Sequence, residues 1–173
     1  SMESAFPTVV AGVRTHGSLF AFLRKQASQG RSRTLSFSSG MAGWIARLVS
    51  KIGSENIEEI WNGDKEKEKL KTEYFGVGDL EVSNNDNYLG YSLDLKGSEY
   101  YTIYLRDIKT NKIISKEIAE TSGGITFSLD DKYIFYSKLD ENHRARKIYR
   151  HKIGNFTDDD ELIFEEKSEA FTV

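Results

Sequence analysis

From residue 80 onward, apolar and polar side chains alternate in short runs separated by turn-forming residues. Between Tyr100 and Arg106, Ile103 and Leu105 share one face and Tyr104 and Arg106 the other, the two-residue period of a strand. The same pattern predicts strands at 80–83, 88–93, 101–108 and 112–117, and again at 124–128, 133–139, 147–153 and 161–165. Asn, Asp and Gly recur in the segments 84–87, 96–98 and 109–111, where tolerance of left-handed backbone suits a tight turn. The last strand of the second set is displaced by about four residues, because 156–160 lengthen the turn before it. Residues 170–173 read as the opening strand of a third set.

The two sets are copies. Ser83-Asn84-Asn85-Asp86-Asn87-Tyr88-Leu89-Gly90-Tyr91-Ser92 returns 45 residues later as Ser128-Leu129-Asp130-Asp131-Lys132-Tyr133-Ile134-Phe135-Tyr136-Ser137, with five of the ten positions identical. Ile103 and Tyr104 meet Ile148 and Tyr149 in the same register, and Ile108 meets Ile153. A repeat of this length, made of short strands, points to mainly β structure built as successive blades of a partial β-propeller. In the Ser-x-x-Asp-x-Tyr turn, Ser83 and Asp86, like Ser128 and Asp131, are placed to bond loop backbone. Tyr88, Tyr91, Tyr133 and Tyr136 are placed to fill space between strands or sheets.

The first third of the chain has another character. Residues 1–53 carry seven Lys and Arg against Glu3 alone, a balance of +6, while the remainder carries 17 basic and 26 acidic residues, a balance of −9. Leu19, Phe22 and Leu23 fall at helical spacing, and Trp44, Ile45, Leu48, Val49 and Ile52 fall on one face of a second helix that Gly53 would end. Residues 1–53 are therefore expected to form a basic leader, helical or disordered. Its Ser, Ala, Gly and Arg content is that of a mitochondrial transit peptide or of an unrelated leader. The second helix could lie on an anionic membrane surface or pack against its own protein. Arg31 and Arg33 are only two close charges, too few for a nucleic-acid site.

Residues 54–173 form the propeller part, with blades at about 79–117 and 124–166. Ahead of the first blade, Glu58-Glu59-Ile60-Trp61 reads as a short strand, Asn62-Gly63 as a turn, and 64–71 as a solvated loop or short exposed helix of mixed charge.

Little in the chain carries chemistry. Cysteine is absent, so there is no disulfide and no thiolate. No run of about 18 uncharged apolar residues is present. His16, His143 and His151 lack metal-site spacing, and His143 and His151 read as surface residues. Asp158-Asp159-Asp160-Glu161 lacks the glycine and alternating ligands of a calcium loop and reads as a solvated acidic turn. Gly76, Gly78, Gly123 and Gly124 make no phosphate loop, and no Gly-x-Ser-x-Gly elbow exposes a serine. No catalytic, cofactor-binding or metal residue is assigned, and no cofactor is expected.

Several runs, kept in order over roughly 120 residues, carry a resemblance. They are Glu58-Glu59-Ile60-Trp61, YSLDLKGSEYYTIYLRD at 91–107, Thr121-Ser122-Gly123-Gly124, SKLDE at 137–141, RKIYRH at 146–151 and LIFEEK at 162–167. From about Ser54 the chain resembles the propeller of the oligopeptidase B (protease II) branch of the prolyl oligopeptidase family of serine peptidases. The resemblance implies a seven-bladed propeller over an α/β-hydrolase domain that holds a Ser-Asp-His triad and cleaves short peptides after Arg or Lys. It implies that the propeller keeps folded proteins from the active site. Only early blades match, so no catalytic residue transfers to this chain, and the polypeptide by itself is expected to be inactive.

The implied partners are the remainder of the peptidase, meaning further blades and a hydrolase domain, and the peptide substrates of the complete enzyme. No nucleic acid partner is expected. Two blades cannot close a ring, so open sheet edges would favour self-association. The other class of function open to such a chain is a non-catalytic β-repeat interaction module. The expected location is cytoplasmic, or mitochondrial if the leader is a transit peptide.

Overall fold

The computed structural model describes residues 34–39, 44–49, 57–115, 117–168 and 170–173, with side chains described from Glu59 onward. The helix expected around Leu19, Phe22 and Leu23 lies outside these residues, as do His16, Arg31, Arg33, Ile52 and Gly53.

The helix expected over Trp44, Ile45, Leu48 and Val49 is a strand instead. Strand β2 (Trp44–Val49) lies antiparallel between β1 (Thr34–Ser39) and β3 (Ile57–Asn62), with Leu35 opposite Leu48 and Ala46 opposite Trp61. A six-residue run with one charge, Arg47, is too short to separate the two periods, and pairing with β1 and β3 decides between them.

Helix α1 (Gly63–Leu70) follows. The Asn62 side chain accepts hydrogen bonds from the Asp64 and Lys65 main-chain N–H groups, satisfying two donors that a helix start leaves open. Asp64 and Glu66 lie in the first turn and Lys67 and Lys69 in the last, both favourable to the helix dipole. Lys71 ends the helix in left-handed backbone.

The two repeat units then appear in order. The first comprises β4 (Gly76–Val82), β5 (Tyr88–Asp94), β6 (Tyr101–Asp107) and a fourth strand in two pieces, β7 (Lys112–Ile113) and β8 (Ile118–Thr121). The second comprises β9 (Thr126–Phe127), β10 (Tyr133–Leu139), β11 (Ala145–Lys152) and β12 (Glu161–Glu165), with a 3-10 turn at Thr157–Asp159. All neighbouring strands are antiparallel.

β4 starts at Gly76 where a strand was expected from 80, β9 spans only Thr126–Phe127 of the expected 124–128, and three larger differences follow. The single strand over 112–117 is broken, because the chain leaves the ladder after Ile113 and rejoins it at Ile118. The units are not separate sheets: Thr121 pairs with Tyr101 on one side and Lys138 on the other, linking both into one hydrogen-bonded network. Residues 170–173 form no strand. Only Val173 makes a main-chain bond, to the Ala145 carbonyl, and a single bond does not make a ladder.

Packing explains why both faces of β5 and β6 are buried. Leu89, Tyr91 and Leu93 point to one side with Leu80 and Val82, and pack on Trp61. Ile103 and Leu105 point to the other, against Ile125, Phe127, Ile134 and Tyr136 of the second unit. The units thus stack face to face. Gly90 permits the close approach: a Cβ there would lie 3.2 Å from Ile125 Cγ2 and 3.4 Å from Leu105 Cδ2. We expect Gly90→Ala to cost about 1 kcal/mol by overpacking. A drop in the urea midpoint with unchanged slope checks this, and an unshifted midpoint would mean the units do not approach so closely.

Candidate functional site

Two clusters concentrate the polar chemistry of the described residues. The first is the seam between the repeated turns. In the first unit, Ser83 Oγ accepts hydrogen bonds from the Asn87 and Tyr88 N–H groups and donates to Asn85 Oδ1. In the second, Ser128 Oγ accepts from the Tyr133 N–H and donates to Asp130 Oδ1. The Ser128 hydroxyl, then the Lys132 N–H, hold the Asp130 carboxyl below the usual range. Asp86 and Asp131 take left-handed backbone, with φ of 58° and 54°, which Asp tolerates better than most residues.

Asp131 does more than its own turn requires. Its carboxylate accepts hydrogen bonds from the Asn84 N–H at 2.6 Å and the Asn85 N–H at 2.7 Å, and from Asn84 Nδ2 at 2.9 Å. The expectation that Asp131 bonds its own loop is therefore corrected. It stitches the second unit to the first. A second link lies along the same interface, where Asp79 accepts from the Ile125 N–H at 3.0 Å and the Ser92 hydroxyl donates to the Gly123 carbonyl at 2.7 Å. Burial pushes the Asp79 carboxyl up, against the two main-chain N–H groups that bond it.

The second cluster is buried on the inner face of the second unit. His151 is fully buried, which corrects its reading as a surface residue. Its Nδ1 lies 2.6 Å from Asp160 Oδ1, and its Nε2 lies 3.3 Å from Ser115 Oγ. A carboxylate oxygen accepts, so Nδ1 donates to Asp160, and Nε2 shares a hydrogen bond with the Ser115 hydroxyl. Ser115 Oγ in turn accepts from the Gly154 N–H, and Tyr136 OH donates to the other oxygen of Asp160 at 2.7 Å. Asp160 is thus a buried anchor and not part of a solvated turn. Burial first, then this hydrogen bond to Asp160, push the Tyr136 hydroxyl up.

The first unit carries the counterpart. Tyr91 and Arg106 stand where Tyr136 and His151 stand, 45 residues earlier. Arg106 donates to Tyr91 OH at 2.7 Å and to Glu66 of α1 at 2.9 Å. Burial pushes the Tyr91 hydroxyl up to about 12, with Arg106 opposing. Ring pairs repeat too: Tyr91 stacks on Tyr104 at 5.2 Å and Tyr136 on Tyr149 at 5.7 Å.

Ser115, His151 and Asp160 have the order of an acyl-transfer triad, but not its setting. A nucleophile must reach a reacting carbonyl with oxyanion donors about 3 Å away. Here His151 is sealed, and the serine oxygen is engaged by Gly154 within the fold. The cluster pins the turn before β12 and the break between β7 and β8 onto β11. Sequence spacing did not reveal it, because its members lie 36 and 9 residues apart.

His143, expected at the surface, is exposed in its loop and packs on Tyr100 with ring centroids 4.2 Å apart. Among the described residues no group of three or more His, Cys, Asp or Glu is placed to hold a metal ion. No helix among them is long and apolar enough to cross a membrane.

Comparison with known proteins places the architecture. The family model described as "Prolyl oligopeptidase, N-terminal beta-propeller domain" matches residues 63–173. Protease 2 of Moraxella lacunata is 32% identical over 103 residues, covering 58% of this chain and 15% of that protein. Dipeptidyl aminopeptidase BI of Pseudoxanthomonas mexicana is 28% identical over 100 residues, covering 57% of this chain and 14% of that protein. The chain thus spans about one seventh of the length of these relatives. Oligopeptidase B from Leishmania major superposes with a TM-score of 0.74 at 22% identity, over 82% of this chain and 20% of that one.

Proposed function

Because the chain belongs to the prolyl oligopeptidase family, as a carrier of part of its N-terminal propeller, we propose that it serves as the early blades of the substrate filter of an oligopeptidase B-like serine peptidase. In the complete enzyme, short peptides would be cleaved after Arg or Lys by a hydrolase domain, and the propeller would set the size of what enters. The observation that carries this reading is the face-to-face stacking of two repeated units, with the Asp131 stitch between their turns. That packing can continue from unit to unit, as a wheel requires. The preference for Arg or Lys rests on the resemblance carried by the ordered runs, and the family match supports the propeller assignment alone.

Two assays test the reading. The pure chain should give no inhibitor-sensitive hydrolysis of an N-terminally blocked Arg fluorogenic peptide, and such turnover would contradict the assignment. The remainder of the Moraxella lacunata protease 2, lacking the segment that matches this chain, supplies the hydrolase. Adding this chain should suppress its cleavage of unfolded casein while leaving the short peptide unaffected. Equal effects on both substrates would overturn the filter role.

A further inference from the structure

Helix α1 has no apolar face. Its residues run Gly63-Asp64-Lys65-Glu66-Lys67-Glu68-Lys69-Leu70, Gly63 alone among them is buried, and Leu70 is 40% exposed. A helix this short is marginal in water, and one that is polar all round gains little from packing. The Lys65–Glu59 pair lies at the surface, with the Lys65 side chain 74% exposed, so it contributes little. Glu66 is different. Its carboxylate accepts from Arg106 Nη2 at 2.9 Å, and both side chains are largely out of water.

The partner of Glu66 is held in place without α1. Arg106 donates to Tyr91 OH at 2.7 Å and to Asn111 Oδ1 at 3.1 Å, and its guanidinium lies 5.0 Å over the Tyr91 ring. The two units differ in where the carboxylate comes from. In the second, Asp160 of the turn before β12 serves His151. In the first, the turn after β6 offers Arg106 the neutral side chain of Asn111, and the charge arrives from α1. The helix also has a joint at each end. Gly63 connects it to β3, and Lys71, in left-handed backbone with φ of 52°, leads into the irregular residues 72–75 before β4.

We propose that α1 is a strap, with Glu66 as its catch, that lifts from the first unit and closes on it again while the strands beneath stay paired. Lifting breaks the Glu66–Arg106 pair and lets water reach the guanidinium, which stays on Tyr91 and Asn111. Arg106 Nε is buried with no hydrogen-bond partner among the described residues, so the closed strap leaves one donor unmet and the open strap hydrates it. The strap stands apart from the filter reading and does not depend on it.

Amide exchange of the full chain in low concentrations of guanidinium tests the strap. The helix amides 67–71 should exchange at least tenfold faster than Ile103 and Leu105, through an opening that hardly responds to denaturant because it exposes little surface. Ile103 and Leu105 should show the steep response of global unfolding. One shared denaturant response for both groups would mean that α1 opens only when the unit unfolds, and the wild-type chain alone would then overturn the proposal. Glu66→Gln replaces the ion pair with a hydrogen bond to a neutral acceptor and should speed exchange at 67–71 about tenfold. Glu68→Gln makes the same charge change at an exposed position of the helix and should leave exchange there within twofold. No greater acceleration by Glu66→Gln than by Glu68→Gln would overturn Glu66 as the catch, and the strap with it.

Discussion

His151→Ala should lower stability by about 3–5 kcal/mol, because it opens a sealed cavity and takes from the buried Asp160 carboxylate one of its two side-chain hydrogen-bond donors. His151 is 0% exposed and the Asp160 side chain 4%, so water cannot take over the hydrogen bond without entering the core. Domains of this kind are stable by only about 5–15 kcal/mol, so urea unfolding is best followed near 10 °C, where a variant losing this much still has a folded baseline. The companion variant separates charge from packing. Asp160→Asn in the His151→Ala background should recover part of the loss, since it removes the buried charge but not the cavity. A His151→Ala cost below 1 kcal/mol would mean that His151 is hydrated and the cluster open.

Removing the carboxylate of Asp131 should cost about 2–3 kcal/mol, the second largest effect. Three donors lose their acceptor, but Asn85 is exposed and can turn to water, which keeps the sum below three full charge-assisted bonds. The backbone matters as well, because Asp131 has a φ of 54°. Asp131→Gly keeps that conformation and isolates the lost stitch, whereas Asp131→Ala adds about 1 kcal/mol for placing a Cβ in left-handed backbone. Guanidinium unfolding of the two variants should rank glycine above alanine by that margin. Equal stability of Asp131→Gly and wild type would mean the two turns are not joined.

The strands that carry the repeat were legible because their period is short and their turns are punctuated. Residues 133–139 coincide with the observed β10, and 88–93 with all but the last residue of β5. The family resemblance rested largely on the same residues, and the propeller-domain match from 63 to 173 covers every matching run except Glu58–Trp61. What stayed hidden depends on contacts between distant positions. His151 sits in a run, RKIYRHK, whose polarity suggests a surface strand, and only the turn carrying Asp160 makes it a buried residue. Asp131 reads as a turn residue because turns favour Asp locally, and its reach across 47 positions to Asn84 has no local signature. Trp44–Val49 reads equally well at both periods, and the neighbours β1 and β3 decide in favour of a strand.

Amide exchange in the isolated chain compares the stitched turn of the first unit with the corresponding turn of the second within one sample. Asn84 and Asn85 should exchange nearly as slowly as Ile103 and Leu105 in the packed interface, although they stand at a turn tip, while Leu129 and Asp130 exchange near the rate of an unstructured peptide. Equal, fast exchange at all four turn amides would show that consecutive blades are not clamped together, and the stacked-wheel account would fall.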